Sequence, residues 1–263
     1  MIQQLTSPAR ARIWPHIVIL CLAFAGFVLA LMPARMVWQQ LSTPQTEVQM
    51  RGLQGTLWQG SADWIEWQTH SVQAVRWSFY PWALLRGVWE YQVALQFEGA
   101  PVTGFVGRSF FGQIRARDLQ SQTLLQDMSY LTSHASVDLP APVQGDLRVE
   151  ITELALSDEW PDALRGQFTL RSLGLAGLAE LGDWQGQLAR TDNQDIRLQF
   201  APSGDLLQGE GQLTLTPDKI WNVMLKFKPV QAESDIGVLA GLELLGAVDN
   251  EGYVTLTRQG VWR

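Results

Sequence analysis

The segment Trp89–Glu98, which reads WEYQVALQFE, decides the fold class of this chain. Apolar side chains occupy every second position from Trp89 to Phe97, and polar residues or alanine stand between them. Period-two alternation over about ten residues predicts a β-strand with one apolar and one polar face. A sheet built from such strands must cover its apolar face or bind something there.

Similar strands recur along the rest of the chain, and short turn-forming segments separate them, which favours antiparallel neighbours. Several strands begin with a glycine phrase, such as Gly186-Gln187-Leu188 and Gly211-Gln212-Leu213. Glycine inside a β pattern indicates a bulge or a close approach of backbone. The sequence therefore predicts a mainly β fold, a curved antiparallel meander. Its strands are predicted at 46–50, 75–79, 89–98, 114–119, 147–151, 166–173, 186–190, 196–200, 211–216, 221–227 and 253–257.

Two short helices are expected to cover part of this sheet. Apolar residues recur at helical spacing between Leu124 and Leu131, which predicts a helix at 120–133. A second helix is predicted at 234–245. Residues 81–87, which read PWALLRG, predict one helical turn that changes the direction of the chain.

An unbroken apolar run, Ile17–Met32, precedes the strands. Arg10 and Arg12 stand before it, and no acidic residue occurs before Glu47. Extended back to Ile13, the run approaches the roughly 20 residues that a helix needs to span a bilayer, and the arginines predict a cytoplasmic N-terminus. We therefore expect a single-pass protein of the inner membrane whose bulk lies in the periplasm.

A cleaved signal peptide is the competing interpretation, since Val28-Leu29-Ala30 would serve as a cleavage site. The apolar run continues beyond that site to Met32, and Pro33 and Arg35 follow, which favours an uncleaved anchor. The expected organisation is a cytoplasmic N-terminus at 1–12, a transmembrane anchor at 13–34, a tether at 35–46 and a periplasmic β-rich domain at 47–263, with a possible internal boundary near 134–145.

Composition restricts the function. The chain has a net charge of −7, and without Arg10, Arg12 and Arg35 the remaining 16 basic residues face 26 acidic ones, a net charge of −10. That balance argues against a nucleic-acid partner and against charge-driven binding to anionic lipids. The only cysteine, Cys21, lies in the predicted anchor, so the exported part has no disulfide and no thiol ligand.

No residue set in the sequence is typical of a catalytic, metal or cofactor site. The three histidines stand in dissimilar settings, and none has a second ligand at helix or strand spacing. Glu66 and Asp158 are the carboxylates that a glycan-active enzyme would use, but a solvated turn explains Asp158. We therefore expect a protein that is not an enzyme and that has no cofactor.

Tryptophan is frequent, with 12 residues in the chain. Indole rings suit membrane interfaces and protein contacts, although packing within the sheet explains most of them. Trp58, Trp64 and Trp82 are the candidate interface residues.

The tract Gln54–Ala62, followed by Val75-Arg76-Trp77 and Pro81–Gly87, resembles the type II secretion system protein N family (GspN). The order of a short start, one anchor and a β-rich domain agrees with that family. The resemblance implies a non-enzymatic inner-membrane component of the pathway that moves folded proteins from the periplasm across the outer membrane. It also implies other secretion components as partners: protein C, the inner-membrane platform and the secretin.

A weaker resemblance, to AsmA-like periplasmic β-groove proteins, keeps a second function open. These proteins handle lipids, and the apolar faces of 89–97 and 221–227 would line such a groove. The chain would then be a lipid-binding or lipid-transfer module. The alternative is that the helices predicted at 120–133 and 234–245 cover those apolar faces, which then bind no lipid.

Overall fold

The computed structural model describes residues 14–41, 48–67, 70–97, 99–125, 143–157, 160–175, 179–230 and 249–261. Two helices open the chain, α1 (Trp14–Ala30) and α2 (Ala34–Leu41). In the part of the chain described, no helix combines the length and the apolar character that crossing a membrane requires. Helix α2 occupies part of the predicted tether at 35–46 and contacts the first strands, with Ala34 buried.

Fourteen strands follow within the described ranges, and a 3-10 helix, Pro81–Arg86, lies where one helical turn is predicted. The strands are β1 (Val48–Arg51), β2 (Gln54–Gly55), β3 (Gln59–Trp67), β4 (His70–Phe79), β5 (Val88–Phe97), β6 (Ala100–Ser109), β7 (Ile114–Leu124), β8 (Val143–Ser157), β9 (Trp160–Leu175), β10 (Ala179–Arg190), β11 (Ile196–Pro202), β12 (Leu207–Leu215), β13 (Ile220–Pro229) and β14 (Val254–Val261).

These strands form one open antiparallel sheet whose order follows the chain. Strand β1 pairs with β3, each later strand pairs with the next, and β2 pairs with β3 beside β1. A sheet in chain order needs only short connections, which agrees with the turn-forming residues in the sequence. The predicted antiparallel meander is confirmed.

One predicted helix is wrong at its start. Residues 120–124 continue β7, and Leu124 still pairs with Asp146 of β8. The leucines have helical spacing, but pairing with a fully extended neighbour satisfies the backbone of these residues better than an isolated helical turn would. The rest of this prediction and all of the helix at 234–245 lie outside the described residues.

Most apolar side chains face one side of the sheet, called the apolar face, and most polar ones face the other, called the polar face. Trp64 and Met224 are exceptions on the polar face, opposite Gln73 and Gln212. On the apolar face, the buried residues Trp184, Leu207, Phe227 and Val254 form a core cluster across β10, β12, β13 and β14. Half-buried residues pack against it, namely Leu170, Leu173, Leu181, Phe200 and Leu225. The C-terminal half of the sheet is therefore held by contacts between side chains of neighbouring strands.

Glycines stand directly opposite aromatic residues at several points of the sheet. The register pairs are Gly60 with Trp77, Gly186 with Phe168, Gly211 with Phe200 and Gly260 with Trp221. A Cβ atom added to Gly211 would lie 2.3 Å from a ring atom of Phe200, so the ring lies over the glycine. A close approach at the glycines of 52–60 is confirmed at Gly60, where an added Cβ would lie 2.4 Å from the Gln54 carbonyl oxygen. In all four pairs the absent side chain makes room for the ring.

Candidate functional site: an aromatic end of the sheet

Helices α1 and α2 join the sheet at one end, called here the helix end. The backbone N–H of Leu57 donates to the carbonyl oxygen of Met32 at 3.1 Å, and Pro33 forms an isolated bridge with Thr56. Strand β3 begins at this end, three residues after Thr56. The hairpin turn between β6 and β7 and the 3-10 helix between β4 and β5 lie at the same end, because the strands run antiparallel in chain order.

An aromatic cluster of four rings packs at the helix end. Trp58 lies 5.0 Å from Phe79 and 5.6 Å from Trp89 between ring centroids, and Phe79 lies 5.5 Å from Tyr91. Trp89 Nε1 donates a hydrogen bond to the Tyr91 hydroxyl at 3.0 Å. Aromatic pairs at these distances contribute about 0.5–1.5 kcal/mol each beyond their burial. The cluster thus fixes the turn before β3 against β4 and β5.

Four apolar side chains at the helix end project into solvent, and we call them the apolar tip. Trp82 is 68% exposed and Leu85 is 82% exposed, both on the 3-10 helix. Phe110 is 66% exposed and Phe111 is 95% exposed, both in the turn between β6 and β7. The N–H of Phe110 donates to the carbonyl oxygen of Gly87 at 2.9 Å, which joins the two segments.

A buried ion pair lies beneath the apolar tip. Glu90 is only 4% exposed, and it accepts hydrogen bonds from Arg117 Nε at 2.9 Å and Nη2 at 2.8 Å. The Arg117 guanidinium also lies 3.8 Å from the Phe105 ring centroid and 5.7 Å from that of Tyr80. Its hydrogen bonds to Glu90 raise the pKa of Arg117 above its ordinary value, so the arginine stays charged.

The structure separates the three candidate interface tryptophans. Trp58 is half-buried in the aromatic cluster, and Trp82 belongs to the apolar tip, so these two share the helix end. Trp64 lies five residues along β3 from Gln59, about 17 Å away, with the Arg51 guanidinium 4.9 Å from its ring. The chain therefore does not bring all three together in one surface.

Of the two carboxylates considered for glycan chemistry, the structure describes only Glu66. Glu66 lies on β3 opposite Ser71, far along the sheet from the hairpin of β8 and β9. Asp158 lies outside the described residues, and Asp162 accepts hydrogen bonds from Ser157 and Gln113. Among the residues that the structure describes, no three potential metal ligands group together.

The polar face carries a row of side chains, called here the glutamine row, that the sequence alone did not reveal. The row crosses six neighbouring strands in exact register pairs: Gln120, Glu150, Gln167, Gln187, Gln199 and Gln212. Gln167 Nε2 donates to Glu150 Oε2 at 2.8 Å, and an open groove of about 670 Å³ runs over β9 to β13. The sequence carries a signal for three of these residues. Gln167, Gln187 and Gln212 each directly follow a glycine in the repeated glycine phrases.

The sequence matches the family model described as type II secretion system, protein N, over residues 46–257, which include almost the entire sheet. This chain belongs to that family. Three curated relatives carry the name type II secretion system protein N. The protein from Aeromonas hydrophila is 28% identical, covering 90% of this chain and 94% of its own. The protein from Vibrio cholerae serotype O1 is 24% identical, covering 87% and 90%. The one from Klebsiella pneumoniae is 23% identical, covering 88% of each.

The family resemblance expected from the sequence is therefore confirmed. No solved structure matches the chain significantly. Membership indicates a role in type II secretion, and it implies that other components of that system are partners. The tract that suggested the family, from Gln54 to Gly87, builds β2 to β4 and the 3-10 helix, and it contributes Trp58 and Phe79 to the aromatic cluster.

Proposed function

We propose that this protein is a non-enzymatic inner-membrane component of the type II secretion system that acts through protein–protein contacts. The observation that carries the proposal is the match to the protein N family over residues 46–257. Each of the three relatives aligns with at least 87% of this chain, so the correspondence extends over its length.

Helix α1 supports the inner-membrane part of this proposal. Its large apolar residues, from Trp14 to Phe27, are exposed on all sides of the helix. A helix that is apolar all round needs an apolar environment, either a protein core or a bilayer. We propose that α1 and its flanking residues cross the inner membrane, with Arg10 and Arg12 on the cytoplasmic side and the sheet in the periplasm.

The proposed partners are protein C, the inner-membrane platform and the secretin. Attachment to the same membrane raises the local concentration of the sheet near these proteins, so interfaces of modest area suffice. Trp64 and the glutamine row on the polar face offer contact surfaces outside the apolar tip. Large indole surface and satisfiable amide groups are both common in protein interfaces.

Site-specific photo-crosslinking in the native membrane tests the proposed partners. A photoreactive amino acid replaces Trp64, Trp82 or Gln199 in separate full-length variants expressed beside the intact secretion system. We expect adducts with protein C or a platform protein at one position at least, and their loss in cells that lack the other secretion genes. Absence of such adducts at all three positions would contradict the proposed role.

Protease protection tests the proposed topology. Protease added outside intact spheroplasts should digest the sheet and leave a small membrane-embedded fragment from the N-terminal end. A sheet that resists digestion until the spheroplasts are lysed would place it on the cytoplasmic side.

Lipid binding is a second candidate function, and the apolar face favours it. Ile196, Leu198 and Phe200 of β11 are half-buried although they lie in the middle of the sheet. An apolar surface that is not fully covered can accept acyl chains. In that case the protein would bind or transfer lipid through a groove on this face.

A photoreactive residue at Leu198 distinguishes this function from the first. Full-length protein in native membranes should then give phospholipid adducts at position 198 and none at Gln199, its neighbour on the polar face. Equal or absent lipid adducts at the two positions would reject a lipid groove.

A further inference from the structure

The apolar tip lies beside the place where α1 meets the sheet. Leu57 bonds to Met32 at the end of the helical segment, and the carbonyl oxygen of the next residue, Trp58, accepts the N–H of Phe79 at 2.6 Å. The 3-10 helix with Trp82 and Leu85 starts two residues after Phe79. The turn with Phe110 and Phe111 joins β6 to β7. Strand β6 lies three strand spacings, about 14 Å, from β3.

The tip is a formed surface of the fold. Gly87 ends the 3-10 helix at a φ of 71°, and its N–H donates to the carbonyl oxygen of Leu84 at 3.0 Å. Gly112 has a φ of 94° and closes the turn by donating to the carbonyl oxygen of Ser109 at 2.9 Å. Together with the bond from Phe110 to Gly87, these contacts hold the four apolar side chains in place while leaving them exposed.

Exposed aromatic and leucine side chains grouped in this way mark a site that meets an apolar surface. Tryptophan and phenylalanine at the edge of an inserted surface are typical of the headgroup region of a bilayer. Arginines border the tip: Arg86 on the 3-10 helix, Arg108 and Arg115 on the strands of the hairpin. Two carboxylates nearby are engaged: Glu90 pairs with Arg117 and with Arg86 itself, and Asp162 accepts from Gln113. Arg108 and Arg115 have no carboxylate partner among the ion pairs of the described residues.

Among the described residues here, four arginines (Arg117 included) outnumber the carboxylates Glu90, Asp118 and Asp162 by one, whereas the chain as a whole is acidic. Arginine side chains beside exposed aromatic rings can reach lipid phosphates while the rings enter the acyl boundary. A bilayer is the surface that lies within reach, because α1 is attached to the same end of the sheet.

We propose that the apolar tip inserts into the interfacial region of the same membrane that α1 crosses. This inference rests on the proposed membrane anchoring of α1. The tip and the helix then form two attachments on one end of the sheet. With both engaged, the strands stand away from the membrane, and the glutamine row and Trp64 are held at a set height above it.

Fluorescence quenching by labelled lipid tests this proposal on the full chain. Cys21→Ser removes the native thiol, and Phe111→Cys supplies a single site for an environment-sensitive dye. Because Phe111 is 95% exposed, its replacement leaves the packing of the fold unchanged. The matched control is Ser203→Cys, an exposed position in the turn between β11 and β12 at the opposite end of the sheet.

Both labelled proteins are reconstituted into vesicles of phosphatidylethanolamine and phosphatidylglycerol that carry a nitroxide near the headgroup. We expect severalfold stronger quenching at position 111 than at position 203, together with a blue shift of the dye at 111. Protein that floats with the vesicles but shows equal quenching at both positions overturns the proposal. Protein that does not float at all overturns the anchoring of α1 as well, so the two failures are distinguishable.

Discussion

At the scale of single residues, the helix end contains a buried ion pair between Glu90 and Arg117. The Glu90 carboxylate is almost fully buried, while the side chain of Arg117 is 28% exposed. A second arginine, Arg86, reaches the same carboxylate at 3.2 Å but is 55% exposed. A buried charge of this kind is tolerated only while its partner is present.

Arg117→Met should therefore destabilise the protein strongly. The substitution removes two hydrogen bonds to Glu90 and one to Asp118, and it leaves the buried Glu90 carboxylate without its main partner. We expect a loss of about 3–5 kcal/mol in the free energy of unfolding. Equilibrium unfolding in urea measures the effect. Glu90→Leu added to Arg117→Met should recover part of the loss, because the unpaired charge is then absent.

Arg148→Met is the matched control for that experiment. Arg148 Nε lies 3.2 Å from Glu150 Oε1, with side chains 57% and 31% exposed. Exposed pairs contribute about 0–1 kcal/mol, so this variant should unfold almost like the parent. Similar losses in the two methionine variants would show that burial of Glu90 is not what makes its pair important.

Gly211 offers a second test at the scale of one residue. Gly211→Ala places a methyl group against the Phe200 ring, and overpacking of this kind costs about 1–3 kcal/mol. Thermal unfolding measures the loss, which Phe200→Leu should relieve in the double variant. Gly204→Ala is the control, because the nearest atom to its new Cβ is the Asp183 backbone nitrogen at 3.6 Å. A tolerated Gly211→Ala would contradict the packing explanation of the glycine phrases.

At the scale of elements, four strands are entered through the same five-residue turn. In each turn the first residue is serine, threonine or aspartate and its N–H donates to the carbonyl oxygen of the fifth, while the fourth residue has positive φ. The turns are 109–113, 191–195, 216–220 and 249–253. A type I turn followed by a left-handed residue is a common way to connect antiparallel strands, and glycine suits that fourth position best.

Two of the four turns have a residue other than glycine at this position. Gln194 has a φ of 70° and Lys219 a φ of 62°, whereas Gly112 and Gly252 occupy the position in the other two turns. Gln194→Gly should therefore raise the stability by up to about 1 kcal/mol, and Gly252→Val should lower it by more. Thermal unfolding measures both. A destabilising Gln194→Gly would show that the side chain of Gln194 matters more than its backbone strain.

The turn at 249–253 also has an acid-sensitive group. The N–H groups of Tyr253 and Glu251 donate to Asp249 Oδ1 and, with Lys226 and Lys228 nearby, lower the pKa of Asp249 below its usual 3.8. A lowered pKa in the folded state means that the carboxylate stabilises the turn above about pH 4 and that this contribution is lost as the pH falls further. Amide exchange of Tyr253, corrected for its intrinsic pH dependence, should then show weaker protection at low pH in the parent than at neutral pH, and no such change in Asp249→Ala.

At the scale of the whole molecule, the sheet is a linear array of strands arranged in chain order. Each strand pairs only with the strands beside it in the chain, apart from β2, and the described side-chain clusters lie at separate places along the row. Assemblies in which each unit contacts only its neighbours lose structure locally before they unfold as a whole.

Phe227→Ala should therefore loosen one half of the sheet selectively. Phe227 is buried in the core cluster, where it lies 6.4 Å from Trp184 between ring centroids. Hydrogen exchange should accelerate in β10 to β14 and stay unchanged in β3 to β6. Phe79→Ala in the aromatic cluster is the reciprocal control and should affect β3 to β6 instead. Uniform acceleration by either variant would indicate a single cooperative unit.

The alternation from Trp89 to Phe97 was enough to predict strand β5, because the period of a strand is a local property of its sequence. The antiparallel arrangement was predicted from the short turn-forming segments between strands. The glycines of 52–60 likewise predicted a bulge or a close backbone approach. The helical spacing was misleading at Leu124, because its backbone pairs with Asp146 of β8, and pairing in the sheet overrides local helical spacing.

The sequence by itself determined the strand pattern, the turns, the family and the apolar N-terminal run, since each depends on residues close together in the chain. Only the tertiary structure decided that six amide and carboxylate side chains form one row, that Glu90 is buried against Arg117, and that Trp82 and Phe111 share one end of the sheet. These arrangements depend on register and on which strands become neighbours, and pairings across the sheet leave no periodic signal within any single strand.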